Sequence, residues 1–319
     1  MPSIRKTVLT PVKWASKKLL EATLLKFPGD DPHDPVACTY CPEMCRFSCP
    51  TAVASANDAV TPCNKMSLLH KESRWPGVAQ GTESGGELWP IYDCTGCGRC
   101  TDYCVYEVPV ARTLTHARAE HKWYRAEAVF KSIAPDSDPW GDLAAELGFR
   151  ETALERLERR IEASRDGIAK IHEPKSLYYA RAMGKSNSTL TWESEFTTGP
   201  GKEVLTRLQG KRWLLHESVW LSRRLGRWLE VEAWVRRAQS AGIQIELPYE
   251  HYRDCIDCGG EGAYPRLFPS QASEMARVIW ERDQSRVDGI LCMSQRCANH
   301  LKSVLAREIP EVAIETAFP

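Results

Sequence analysis

The chain of 319 residues has no apolar run near the roughly 18 to 20 residues that a membrane-spanning helix needs, and its mean hydropathy is negative. Net charge is also missing. The 42 basic residues balance 42 acidic ones, so no global field advertises nucleic acid or an anionic membrane as a partner. Nor is there a GxGxxG turn after a strand, a Walker loop, or a serine or cysteine nucleophile motif. The first segment, MPSIRKTVLTPVKWASKKLLEATLLKF, lacks a long apolar centre ending at small residues, so it reads as mature sequence rather than a signal peptide. These absences predict a cytoplasmic protein in a reducing compartment, where metal thiolates persist and structural disulfides are rare. Residues 12–27 read as an amphipathic helix with Trp14, Leu19, Leu20, Leu24 and Leu25 near one face. Such a helix suits either docking onto protein or peripheral attachment to the inner face of a membrane.

Cysteine is absent from 105 to 254, yet the chain holds 13 of them. They fall into three groups: Cys38, Cys41, Cys45, Cys49 and Cys63; then Cys94, Cys97, Cys100 and Cys104; then Cys255, Cys258, Cys292 and Cys297. A chain of this length can build cores without disulfides, and the odd count agrees with free or metal-bound thiols.

In CTGCGRCTDYC the spacing is C-x2-C-x2-C-x3-C, the bacterial ferredoxin pattern for a 4Fe-4S cubane. A cubane presents separate iron corners, so three thiolates must splay around it from one tight loop. Gly96 and Gly98 let that loop curl close to inorganic sulfide. CTYCPEMCRFSCP repeats the pattern with one extra residue, within Pro42-Glu43-Met44, and keeps the C-P ending. Four-thiolate zinc sites also use C-x2-C, but they set two knuckles apart by a longer spacer. The reading is therefore two 4Fe-4S clusters. In two-cluster ferredoxins the fourth cysteine of each run binds the other cluster. Carried over, Cys38, Cys41, Cys45 and Cys104 hold one cubane, and Cys94, Cys97, Cys100 and Cys49 hold the other. Cys63 is left over, either as a small buried residue or as an auxiliary ligand.

The run CTYCPEMCRFSCPTAVASANDAVTPCNKMSLLHK followed by YDCTGCGRCTDYCVYEVPVARTLTHAR resembles the iron-sulfur module of the heterodisulfide reductase related proteins. That family includes the iron-sulfur subunits of glycolate oxidase and anaerobic glycerol-3-phosphate dehydrogenase. The likeness covers about residues 36 to 118. It departs at Val105, where the family usually has proline. The resemblance implies a mostly helical ferredoxin domain passing single electrons between a catalytic subunit and a quinone, disulfide or other carrier.

The implied fold is α+β. An extension over 1–35 precedes a helical ferredoxin-type domain at 36–135, flanked by loops at 28–36 and 76–90. A charged helical stretch from 138 to 171, read as a solvated bundle face, leads through a polar linker at 184–202. A small α/β domain with a parallel sheet follows at 204–319, because strand-like runs alternate there with helical ones: KRWLLHES, IQIELP, VDGILCM and VAIETAF. The third cysteine group falls in its strand-end loops, where such sheets bind ligands.

That group looks like the second half of a family CCG repeat, with three departures. Val219 stands where a cysteine follows the family's His-Asp-Pro-like tripeptide, Cys255-x2-Cys258 replaces an adjacent pair, and Cys292-x4-Cys297 is wider than C-x2-C. Four cysteines suffice for a third iron-sulfur cluster or one tetrahedral zinc, and redox-active free thiols stay open too. His216, His251 and His300 read as packing or surface histidines. Arg223, Arg224, Arg227, Arg236 and Arg237 read as a solvated or partner-facing basic face.

The leading functional expectation is an electron-transfer subunit of a multi-subunit oxidoreductase, with a catalytic redox subunit and other electron-transfer proteins as partners. Two alternatives stand beside it: a heterodisulfide-reductase-like enzyme acting at the C-terminal cysteines, against which Val219 counts, and a docking subunit with structural zinc there.

Overall fold

The computed structural model describes residues 38, 41, 43–75, 88–121, 123–133, 141–192, 196, 198–248, 255–284 and 286–318. The expected amphipathic helix at 12–27, the loop at 28–36, most of the loop at 76–90, Pro42 and His251 lie outside them. No helix among the described residues is long and apolar enough to cross a membrane. The fold is α+β: helices predominate, with two small parallel sheets.

Two helices of the first half start on a proline, where the missing N–H costs nothing and the fixed φ suits the first turn. These are α1, Pro50–Ser55, directly behind Cys49, and α2, Pro62–Arg74, which carries Cys63 in its first turn. Helix α3, Arg99–Asp102, opens behind Gly98 and holds Cys100. Helices α4, Val110–Glu120, and α5, Tyr124–Ser132, match the helical character expected from 108 to 132. Next come α6, Asp142–Glu146, and α7, Arg150–Glu162.

The stretch read as a continuous solvated helical face is corrected in two places. Helix α6 is buried along its whole length, with Asp142 and Glu146 neutralised by ion pairs to Arg296 and Lys175. The last residues of the 138–171 stretch form strand β1, Ala169–Ile171, which leads through α8, Pro174–Ala182, to strand β2, Ser188–Leu190. The two strands pair in parallel, Ala169 with Ser188 and Ile171 with Leu190, so the segment read as a linker holds a strand. Both strands are only three residues long, too short for alternation to stand out against polar neighbours.

The second half follows the expected alternation. After α9, Lys202–Leu208, come β3, Arg212–His216, a single π-helical turn at Trp220–Arg224, α10, Trp228–Ser240, and β4, Gln244–Glu246. Then follow α11, Tyr264–Leu267, α12, Pro269–Asp283, β5, Gly289–Cys292, α13, Gln295–Leu305, and β6, Ala313–Thr316. The strands lie side by side in the order β4-β3-β5-β6, all parallel. Side chains alternate between the two faces. Trp213, Leu215 and Leu291 pack with Val231, Trp234 and Ala238 of α10 on one face. Leu214, Ile290, Cys292 and Ile314 pack with α12 and α13 on the other. Each fully buried large side chain here is worth about 1.5–3 kcal/mol.

The core around the first two cysteine groups draws on distant sequence. Met66, Ile91, Tyr92, Leu114 and Trp123 share it with Tyr264 of α11, Met275 of α12 and Phe268 between the two helices. A further cluster joins Cys97 to Tyr179, Val219, Trp220 and Cys255. The π-helical turn therefore lies against the loop at 94–100.

Candidate metal centres

Strand, loop and helix ends bring the cysteines together in three places. In the first half, Cys49, Cys94, Cys97 and Cys100 line a single cavity together with Thr51, Lys65 and Gly98. Cys49 arrives there because α1 turns the chain immediately after it, with its sulfur 3.2 Å from Thr51 Oγ1. Three of the four come from one tight loop. That loop bends through positive φ at Gly96 and Gly98; a side chain at either would also press on Trp220 or Arg224 of the π-helical turn.

Two buried cations face this loop. Lys65 Nζ donates to the Asp93 carbonyl and, at 3.3 Å, to Thr51 Oγ1. Arg118 donates through Nε to the Ile91 carbonyl and through a terminal nitrogen to the Cys94 carbonyl, both at 2.9 Å. Burial pushes the Cys97 thiol up to about 12 and raises Cys100 well above its ordinary value, so bare thiols here hold their protons. A metal group that displaces those protons gains two preplaced positive charges.

Around the first cysteine run, Cys38, Cys45, Cys63 and Cys100 share one buried core, with Cys104 packed at its edge. The turn at Met44–Arg46 carries Cys45, and Glu43 just before it takes a left-handed conformation. Cys63, the cysteine left over by the sequence pattern, touches Cys45, and this contact raises Cys45 and lowers Cys63 to about 7. Its sulfur also sits 3.3 Å from Thr61 Oγ1. Cys63 therefore adds to this place, beside Cys45, one thiol more than the spacing predicts.

The C-terminal group is divided by the fold. A ring nitrogen of His216 and the sulfurs of Cys258 and Cys297 all lie within 4.8 Å of one another, and all three residues are buried. His216 ends β3 and is the register partner of Cys292 at the end of β5, so both side chains point to the same face of the sheet. Cys297 lies in the first turn of α13, whose cap residue Ser294 accepts the Cys297 amide through its hydroxyl. Contact with Cys297 draws the Cys258 thiol well down and pushes Cys297 up. Burial opposes a charge on His216, but Cys258, Asp257 and Glu261 together draw it above its ordinary value.

Cys255 goes elsewhere: it packs with Cys97, Val219 and Trp220, and its carbonyl accepts from Arg223 at 3.3 Å. Cys255 thus stands apart from the group of His216, Cys258 and Cys297, and Arg223, expected on a solvated or partner-facing face, is buried instead. Arg223 has 3% of its side chain exposed and pairs with Asp102 of α3 at 2.6 Å. Arg224 is likewise held over the Tyr178 ring. His300, by contrast, behaves as a packing residue, with Nε2 3.0 Å from the Ala272 carbonyl oxygen. Sequence reasoning missed His216 because its partners lie 42 and 81 positions away; its place at the end of a strand was the available signal.

No family model, curated protein or solved structure matches the chain.

Proposed function

We propose that the chain is an iron-sulfur electron-transfer subunit of a larger oxidoreductase, relaying single electrons between a catalytic partner and a quinone, disulfide or other carrier. The observation that carries this reading is the company Cys49 keeps. It leaves its own run to line a cavity with Cys94, Cys97 and Cys100, the crossing that two-cluster ferredoxins use. The resemblance of residues 36 to 118 to the heterodisulfide reductase related module points the same way.

A bound cubane supplies one-electron chemistry; the chain's own groups set where it sits and at what potential. Cys94, Cys97, Cys100 and Cys49 suit one cluster, and Cys38, Cys41, Cys45 and Cys104 suit the other. Lys65 and Arg118 offset the negative charge of a thiolate-ligated centre. Cys100 lies close enough to Cys45 to influence its ionisation, so the two centres are neighbours. Met44, Phe47, Tyr103, Val105 and Tyr106 are exposed apolar residues flanking Cys45, Cys49 and Cys104 in sequence. The turn at Met44–Arg46 packs against α3, which gathers part of this apolar set into one face for a partner.

Anaerobic purification followed by iron and sulfide analysis tests the proposal. About eight irons and eight sulfides in the first half support it. A chain with no inorganic sulfide overturns it.

A further inference from the structure

We propose that the C-terminal cysteines form a mononuclear zinc site, held by His216, Cys258, Cys297 and Cys292, with Cys255 outside it. This goes beyond the electron-transfer reading and does not depend on it.

The first observation is spacing. Three ligand atoms within 4.8 Å of one another can close on a single ion, since tetrahedral bonds of about 2.3 Å to sulfur put neighbouring sulfurs about 3.8 Å apart. A cubane instead spreads its thiolates over separate iron corners. Cys255, which a four-cysteine cluster needs, is packed beside Cys97 and Trp220.

The second is an unsatisfied atom. His216 Nε2 is buried and has no hydrogen-bond partner among the described residues. A buried polar atom left bare is destabilising, and metal coordination removes that cost. A neutral imidazole with thiolates is a donor set that zinc favours.

The third is the frame. Cys292, outside the 4.8 Å group itself, is the register partner of His216 on the neighbouring strand and shares one buried cluster with Cys258 and Cys297. Both strands end there, between β3 and β5, where the chain order of the sheet reverses and α/β folds place their ligands. Cys297 sits in the first turn of α13, where backbone amides favour a thiolate. Around the ligands, Glu261 Oε1 accepts from Ser218 Oγ at 2.7 Å and stands 3.4 Å from the Cys297 sulfur. The site ties two strand ends, the 255–263 loop and α13 together, so the ion acts as a structural clip.

The test uses the full chain, purified anaerobically, with zinc, iron and sulfide measured on the same sample. The expected result is one zinc per chain, with a zinc-edge absorption spectrum showing three sulfurs and one nitrogen. Replacing Cys258 with Ser or His216 with Ala should remove zinc while iron and sulfide stay unchanged. His216→Cys should retain zinc and turn the shell to four sulfurs, and Cys255→Ser should leave zinc in place. A zinc-free wild-type chain carrying about 12 irons overturns the proposal, as does full zinc retention in His216→Ala or zinc loss in Cys255→Ser.

Discussion

At the scale of single residues, charge around the second cysteine loop gives the sharpest expectation. Lys65 is 1% exposed and lines the cavity with four cysteines. A unit charge at ~8 Å and an effective dielectric of ~20 is worth about 2 kcal/mol. Lys65→Met should therefore lower the potential of that centre by roughly 50–100 mV, with iron content retained; redox titration followed by electron paramagnetic resonance reads this directly. Glu173 gives a pH expectation. Burial, then the neighbouring Glu261, raises its carboxyl to about 7, against the pull of Arg296 and the hydrogen bond from Ser294. The folded chain thus holds a proton there that the unfolded chain releases above about pH 4.5. That contribution is complete below 4.5 and is lost as pH rises towards 7, so stability falls across this window. Glu173→Gln should flatten the decline, leaving the variant on the order of 1 kcal/mol more stable than wild type at pH 8, measured by denaturant titration at several pH values. Residue chemistry of this kind was half legible. Cysteine spacing pointed to metal-binding thiols because ligands drawn from one tight loop must be close in sequence. His216 did not announce itself, because its partners arrive by folding.

Elements show the same division. Strands β3 to β6 could be read from apolar runs bounded by turns, and α10, α12 and α13 from helical periodicity. Strands β1 and β2 could not, since three residues each leave no pattern and their stability comes from pairing across intervening α8. Helix α6 was misread for another reason. Its acids look solvated in sequence, but Glu146 lies 2.9 Å from a fully buried Lys175, whose Nζ also donates to the Glu261 carbonyl at 3.3 Å and sits over the Trp220 ring. Glu146 Oε2 in turn accepts from the Ala263 amide. Removing one member leaves the other charged and buried. Lys175→Met should cost about 3–5 kcal/mol in unfolding free energy, and adding Glu146→Gln should recover much of it. Additive losses in the double variant would show that the pair is not coupled.

For the whole molecule, the two halves are joined by the π-helical turn at Trp220–Arg224. Trp220 lies against Gly96, and Arg223 bridges Asp102 of α3 to the Cys97 and Cys255 carbonyls. None of this was legible in the sequence, where the basic run looked like surface. The apolar residues Phe47 and Val105, 80% and 65% exposed, mark the face expected to meet a redox partner. Val105→Asp should slow electron exchange with that partner while leaving iron content and the unfolding midpoint unchanged.

The central claim is the crossed ligation of two cubanes, and paramagnetic resonance of Cys49→Ser tests it most directly. Two signals are expected in the reduced wild-type chain. Cys97→Ser assigns one to the loop at 94–100 and Cys41→Ser assigns the other. Cys49→Ser should alter the signal that Cys97→Ser alters and spare its neighbour. Loss of the Cys41-dependent signal instead, or a chain that yields no cluster signal and no inorganic sulfide, would contradict it.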